Sequence, residues 1–254
     1  MCGHDVTRTS RIFAGHHVFL FYHNGRAMKH FPALCVDNFY SDPDKVRAYA
    51  LAQSYDKPEN GSHPGKRSGE LMDLNGDLYT TFCNRLFSIF YDGRKTKASW
   101  IVSTSFQLIE PYEHSAQSVK NRGWIHVDNK DVILAGVVYL TPHINEHCGT
   151  SLYELVDPSL CETSDAKRKY FVNSIDDNYD HVLTRSNSAF KETVRFNNIY
   201  NRMICFDSQT FHGINSFYTE KEPRLTQAFF VVSLETDSGM PLERMRRINE
   251  RVGA

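Results

Sequence analysis

Two histidines and an aspartate in this chain have the types and spacing to hold a metal ion. In Trp124-Ile125-His126-Val127-Asp128 an imidazole and a carboxylate stand two positions apart. Residues so spaced on an extended chain project from one face, so both are presented to a common point. The third ligand must come from elsewhere. His212, in Ser208-Gln209-Thr210-Phe211-His212-Gly213, follows a strand candidate at Met203 to Phe206 and can supply it. Two imidazoles and one carboxylate on one face of a metal leave positions open, a set that suits non-haem iron(II) and its oxygen chemistry. His and Asp suit zinc as well, so a zinc-dependent hydrolase acting through a metal-bound water at the same three residues is a rival reading. With 12 histidines in the chain, His-x-Asp alone arises readily by chance. Its neighbours in sequence must decide.

Arg224-Leu225-Thr226 lies twelve residues beyond His212 and opens the apolar strand Gln227 to Leu234. Arg224 and Thr226 share a strand face, and a guanidinium beside a hydroxyl is a suitable receptor for a carboxylate in an apolar surrounding. The bland alternative for Arg224 is a surface ion pair with Glu220 or Glu222. Gln107, with Ser103 and Ser105, lies on the polar face of an earlier strand; these residues either line a pocket or face solvent. Cys148 neighbours the region of the metal candidates, but as a loop thiol it is expected to have no ligand role.

The ordered set of His126-x-Asp128, a buried strand ending Tyr139-Leu140-Thr141, the turn Gly149-Thr150-Ser151-Leu152-Tyr153, His212 and Arg224-x-Thr226 resembles the 2-oxoglutarate- and iron(II)-dependent oxygenases, particularly their prolyl-hydroxylase-like branch. These motifs span about residues 99 to 235. The resemblance implies a double-stranded β-helix, a jelly-roll barrel, with Fe(II) on His126, Asp128 and His212. It also implies 2-oxoglutarate as cosubstrate, its far carboxylate on Arg224 and Thr226, with Gln107 and Tyr139 as further contacts. O2 would be consumed and the substrate hydroxylated, with succinate and CO2 released; desaturation or demethylation would use the same residues. The turn is Gly-Thr-Ser where Gly-Gly is common. The first hundred residues, with Asp37-Asn38-Phe39-Tyr40 and Pro64-Gly65-Lys66-Arg67-Ser68, look similar to viral and microbial members, a similarity that brings no substrate with it. A non-catalytic ligand-binding barrel is the third reading, since fold does not fix function.

The elements that must position these residues follow from periodicity. Asp42-Pro43 supplies a cap and a first-turn proline for a helix to about Ser54, and Leu78, Phe82, Leu86 and Ile89 predict a second from about Asp77 to Phe90. From Ser99 the period becomes two, with Trp100, Val102, Phe106 and Leu108 on one face. Val132 to Leu140 is a continuous apolar run, expected of a strand buried on both faces. Lys57 to Gly69 is a turn-rich loop. Helices first and strands later predict a mainly β chain with flanking helices. A single domain over 1–254 is expected: about 1–98 as N-terminal support, about 99–235 as the core, and 236–254 as a tail. Residues 156–198 are polar and aperiodic and read as a long insertion, in which Lys167-Arg168-Lys169 reads as a solvated surface.

Composition narrows the partners. In 254 residues, 29 Lys plus Arg nearly balance 30 Asp plus Glu, so no global basic field argues for nucleic acid. A small molecule or a protein side chain is the expected substrate, although the basic residues of the insertion leave an anionic one open. Apolar runs fall short of the ~20 residues that cross a bilayer, and no membrane partner is expected. The N-terminus MCGHDVTRTSR lacks the pattern of a secretory signal, which places the protein in a cytoplasmic compartment. The six cysteines show no C-x-x-C pair and are expected as free thiols, with Cys35, Cys83 and Cys205 as core residues.

Overall fold

In the computed structural model, residues 33–57, 63–162, 164–172 and 180–238 are described. Cys2, the N-terminal segment and the tail expected from 236 therefore fall wholly or largely outside the described residues. Asp42 acts as its type requires: its carboxylate accepts from the Lys45 amide and opens α1 (Pro43–Leu51). Asn75 does the same for α3 (Gly76–Ser88), accepting from Leu78 N, after a single turn α2 (Leu71–Leu74) that periodicity did not predict. Helix α3 buries Phe82, Leu86 and Phe87, whereas Ile89, expected on that face, caps the helix and is exposed.

Nine strands form two antiparallel sheets among the described residues. The larger runs β1 (Ala33–Val36), β7 (Met203–Asp207), β4 (Leu134–Tyr139), β9 (Arg224–Thr236), β3 (Ala98–Ile109) and β2 (Lys66–Arg67). The smaller runs β6 (Phe190–Phe196), β5 (Thr150–Leu155) and β8 (Phe211–Ile214). Alternation divides the central strands. Val102 and Phe106 of β3, Leu134 and Val138 of β4, and Leu225 and Phe229 of β9 form one core with Phe82, Leu86 and Phe87 of α3. The Phe82 and Phe229 rings meet edge-on at 5.2 Å. Ala135 and Tyr139 of β4 face the other way and join Leu152 of β5 and Phe206 of β7. The large sheet thus has helices on one face and the small sheet on the other.

Three expectations change. The stretch 156–198 is not irregular throughout: it carries α4 (Ser164–Val172) and α5 (Asp180–Ser188), and its last part is β6, paired with β5. Strand β6 has a register shift that leaves Thr193 without a partner, so it shows no clean alternation. Lys66–Arg67 in the expected loop is a two-residue strand. Cys35 is exposed rather than buried, because edge strand β1 turns its neighbours Leu34 and Val36 toward the core; Cys83 and Cys205 are buried as expected. Cys35, Cys83, Cys148, Cys161 and Cys205 are free thiols.

Gly149 precedes β5 where a Cβ would lie 1.8 Å from the Phe196 carbonyl oxygen, a backbone atom that cannot move without breaking the β5–β6 pairing. Gly149→Ala is expected to destabilise the fold by ~1–3 kcal/mol through overpacking, read as a lowered midpoint in denaturant unfolding.

Candidate metal centre

The stretch from Gly123 to Asp128 runs beside β8 and extends the small sheet. Gly123 N donates to Ile214 O at 2.9 Å, His126 and His212 exchange backbone hydrogen bonds of 2.9 and 2.8 Å, and Asp128 N donates to Ser208 O at 3.0 Å. The extended backbone places His126 and Asp128 on one face, as their spacing predicts, and the pairing sets His212 directly opposite His126. Their ring centroids are 4.5 Å apart. One carboxylate oxygen of Asp128 lies 3.9 Å from His126 Nε2 and the other 3.6 Å from His212 Nε2. One potential ligand atom from each of the three residues lies within 4.8 Å of the others, the spacing of a group able to hold one ion.

Hydrogen bonding prepares both rings. His126 Nδ1 lies 2.8 Å from Trp124 O, and His212 Nδ1 lies 2.9 Å from Thr210 O. A carbonyl can only accept, so Nδ1 carries the proton in each ring and Nε2 offers its lone pair toward Asp128. Burial pushes the pKa of His126 well below the ordinary value, helped by the nearby Lys167 and His212 charges. Burial likewise lowers His212, opposed by Asp128. Both rings are therefore held neutral, the form that binds a metal. Asp128 Oδ2 is buried with no hydrogen-bond partner among the described residues. An unpartnered buried carboxylate oxygen, in a carboxylate that faces two imidazole lone pairs, fits a metal cation.

The three side chains open on a cavity of about 290 Å³. Its floor includes Ala135 and Val137 of β4 and Ala228 and Phe230 of β9. Tyr139 of β4 and Thr226 and Arg224 of β9 lie further along the same strand faces, buried and outside the cavity lining. Gln107, Thr226 and Tyr139 occupy one transverse row of the large sheet, since Thr226 is the register partner of both others. Arg224 is fully buried and carries no surface pair; Glu222 pairs instead with Arg47 at 2.8 Å. Arg224 Nε donates to Cys148 O at 2.9 Å, while Nη1, Nη2 and Thr226 Oγ1 are buried without partners among the described residues. The guanidinium sits 5.4 Å from the centre of the Tyr139 ring, whose hydroxyl donates to Thr150 Oγ1 at 3.1 Å; Thr150 lines the cavity. A buried guanidinium with two idle nitrogens beside an idle hydroxyl fits a carboxylate.

Other sequence candidates are distributed differently. Gln107 lines the cavity, but its Nε2 donates to Pro64 O at 2.8 Å, so it also fastens the 63–67 turn. Ser103 bonds Glu70 at 2.9 Å, away from the cavity, and Ser105 is buried without lining it. Cys148 Sγ donates to Tyr218 O at 2.9 Å, and burial pushes its thiol up to about 11, so it remains protonated and outside the His-Asp-His group. His63 and Arg67 of the 57–69 loop, Lys167 of the 156–198 insertion and Thr150 of the Gly149 turn also line the cavity. Helical spacing carried the signal for Lys167, because Tyr170 and Phe171 are three and four positions on and apolar.

A family model described as "Family of unknown function (DUF6445)" matches residues 24–226. The chain belongs to that family. No curated protein matches this DUF6445 member in sequence. Among solved structures it is similar to a prolyl hydroxylase from Trichoplax adhaerens in complex with a hypoxia inducible factor peptide fragment, at 14% identity and TM-score 0.47 over 78% of this chain and 82% of that one. It is also similar to HygX from Streptomyces hygroscopicus with nickel and 2-oxoglutarate bound, at 11% identity and TM-score 0.45 over 78% and 82%. A third is EvdO2 from Micromonospora carbonacea var. aurantiaca, at 11% identity and TM-score 0.46 over 82% and 89%. No helix among the described residues of the DUF6445 chain is long and apolar enough to cross a membrane.

A three-ligand face has no spare ligand. His126→Ala, Asp128→Ala and His212→Ala are each expected to lose most of the affinity for iron(II), read by anaerobic titration of the metal. Affinity like that of the parent protein in any one variant removes that residue from the ligand set.

Proposed function

We propose that this DUF6445 protein is an Fe(II)- and 2-oxoglutarate-dependent dioxygenase, an oxidoreductase that hydroxylates its substrate, built on a double-stranded β-helix whose two walls are the facing sheets. The observation that carries this reading is the occurrence, one on each of the two sheets, of two sets of polar groups that neighbouring residues leave available: the His126, Asp128 and His212 group beside β8, and on β9 the idle nitrogens of Arg224 with Thr226 Oγ1. A zinc hydrolase would use the first and leave a buried cation without a purpose. A non-catalytic barrel would need neither the prepared histidine tautomers nor the unpartnered Asp128 oxygen.

The residues would act mainly by position. His126, Asp128 and His212 would hold Fe(II), which when bound supplies the oxygen chemistry that protein side chains lack. Arg224 would receive the far carboxylate of 2-oxoglutarate through a charge-assisted hydrogen bond, with Thr226 and the Tyr139 hydroxyl beside it. Gln107 would bound the cosubstrate from β3. The apolar floor of Ala135, Val137, Ala228 and Phe230 would exclude water and admit a small molecule or one side chain.

Removing one partner of a buried pair typically costs ~3–5 kcal/mol, and each ~1.4 kcal/mol is tenfold in affinity. Arg224→Met is therefore expected to weaken 2-oxoglutarate binding by at least about a hundredfold, and Thr226→Val by much less, with metal affinity kept in both. Calorimetry on the manganese-loaded protein reads this. If Arg224→Met binds 2-oxoglutarate as tightly as the parent, the carboxylate receptor lies elsewhere.

A further inference from the structure

Two cations in the cavity have no part in the metal face or the Arg224 site. Arg67 and Lys167 both line it, near Asp128, the one carboxylate among its described lining residues. Arg67 is held by construction rather than by chance. Its backbone pairs with Gln107 of β3 and exchanges hydrogen bonds of 3.0 and 2.9 Å with Asp56. The turn before it is fixed by Gly65, at φ +68°, whose amide donates to the Tyr112 hydroxyl at 3.0 Å. A side chain at Gly65 would meet the Leu108 carbonyl at 2.3 Å, so only glycine lets this turn lie on β3. The Arg67 guanidinium lies over the Phe230 ring at 5.4 Å, and its Nε is buried with no hydrogen-bond partner among the described residues.

Lys167 comes from α4, its ammonium pulled down to about 7 by burial and held partly charged by Asp128. Tyr170 and Phe171, three and four positions on along α4, are buried with Trp124, and the Trp124 and Tyr170 rings are 5.8 Å apart. Lys57 Nζ ties the same helix down through Phe171 O at 2.5 Å. The face of α4 that packs beside the metal ligands therefore carries Lys167 inward, while Arg168 and Lys169 are exposed as the solvated reading of that triplet predicts.

We infer that Arg67 and Lys167 form a receptor for a compact oxyanion, a carboxylate or phosphoryl group, of the primary substrate. This rests on the functional reading above. There, the two charges of the metal and that of Arg224 balance Asp128 and both carboxylates of 2-oxoglutarate; of the remaining acids only Glu70 acts on Arg67, and its carboxylate is bonded to the Ser103 hydroxyl and the Thr104 amide, outside the cavity lining. Two cations converging from β2 and α4 on the space beside the metal face are matched by an anionic group on the molecule that fills it. The same pair would orient that molecule, placing a bond a few ångströms from the anion at the metal.

The test uses the full chain loaded with manganese(II) and saturated with 2-oxoglutarate, with inorganic phosphate and propionate as probes. The metal should broaden the phosphorus resonance of the first or the carboxyl carbon resonance of the second, and the probe more strongly broadened decides between phosphoryl and carboxylate. Arg67→Met and Lys167→Met should each cut the broadening about tenfold, the loss of ~1.4 kcal/mol expected for one charge-assisted contact. Arg67→Lys and Lys167→Arg should retain much of it, which separates lost charge from lost fold. Equal broadening in the parent and both methionine variants, or none in the parent with either probe, overturns the inference. So does weakened 2-oxoglutarate binding in Arg67→Met with unchanged probe broadening, which would assign Arg67 to the cosubstrate. Failure of the parent protein to bind 2-oxoglutarate at all would instead defeat the underlying oxygenase reading.

Discussion

The site depends on one backbone pairing, the reciprocal hydrogen bonds between His126 and His212. Because the two residues sit opposite each other on antiparallel segments, their side chains must leave the sheet on the same side. The period of two then brings Asp128 to that side as well. Each ring is further fixed by a carbonyl two residues upstream, so the imidazoles are oriented before any metal arrives. The cost of collecting a carboxylate and two imidazoles in a buried place is borne by sheet formation.

The large sheet extends this logic away from the metal face. Strand β9 alternates between Leu225 and Phe229, packed under the helices, and Arg224, Thr226, Ala228 and Phe230, turned toward the small sheet. A register shift opposite Ile101 and Val102 leaves Val232 as an extra, exposed residue, and beyond it Leu234 packs on the same core as Val231. The bulge lies past Arg224 and Thr226, so the phase that carries them inward is undisturbed. The polar groups left idle by that phase, buried at Arg224 and Thr226, are the features for which folding alone offers no reason.

Much of this was legible in the sequence because it is local. Asp42 caps α1, the run 132–140 contains β4, and the two-residue step from His126 to Asp128 needs only an extended chain. The row of Gln107, Thr226 and Tyr139 needed the order of strands in the sheet, which no single segment encodes. Strand β6 escaped notice because a register shift leaves Thr193 without a partner and breaks its alternation, and β2 because two residues cannot show a period. Lys167 is the clearest case: in a charged triplet it reads as surface, and only the burial of Tyr170 and Phe171 against Trp124 turns it inward.

The central claim is that His126, Asp128 and His212 present iron(II) to 2-oxoglutarate within reach of Arg224. Anaerobic addition of iron(II) and then 2-oxoglutarate, followed by visible absorption, tests it most directly, because a 2-oxo acid chelated to iron(II) gives a charge-transfer band that neither component gives alone. The account predicts that the band grows to one equivalent of each and is absent in Asp128→Ala. No band in the parent protein, or 2-oxoglutarate binding equally well without metal, would contradict it.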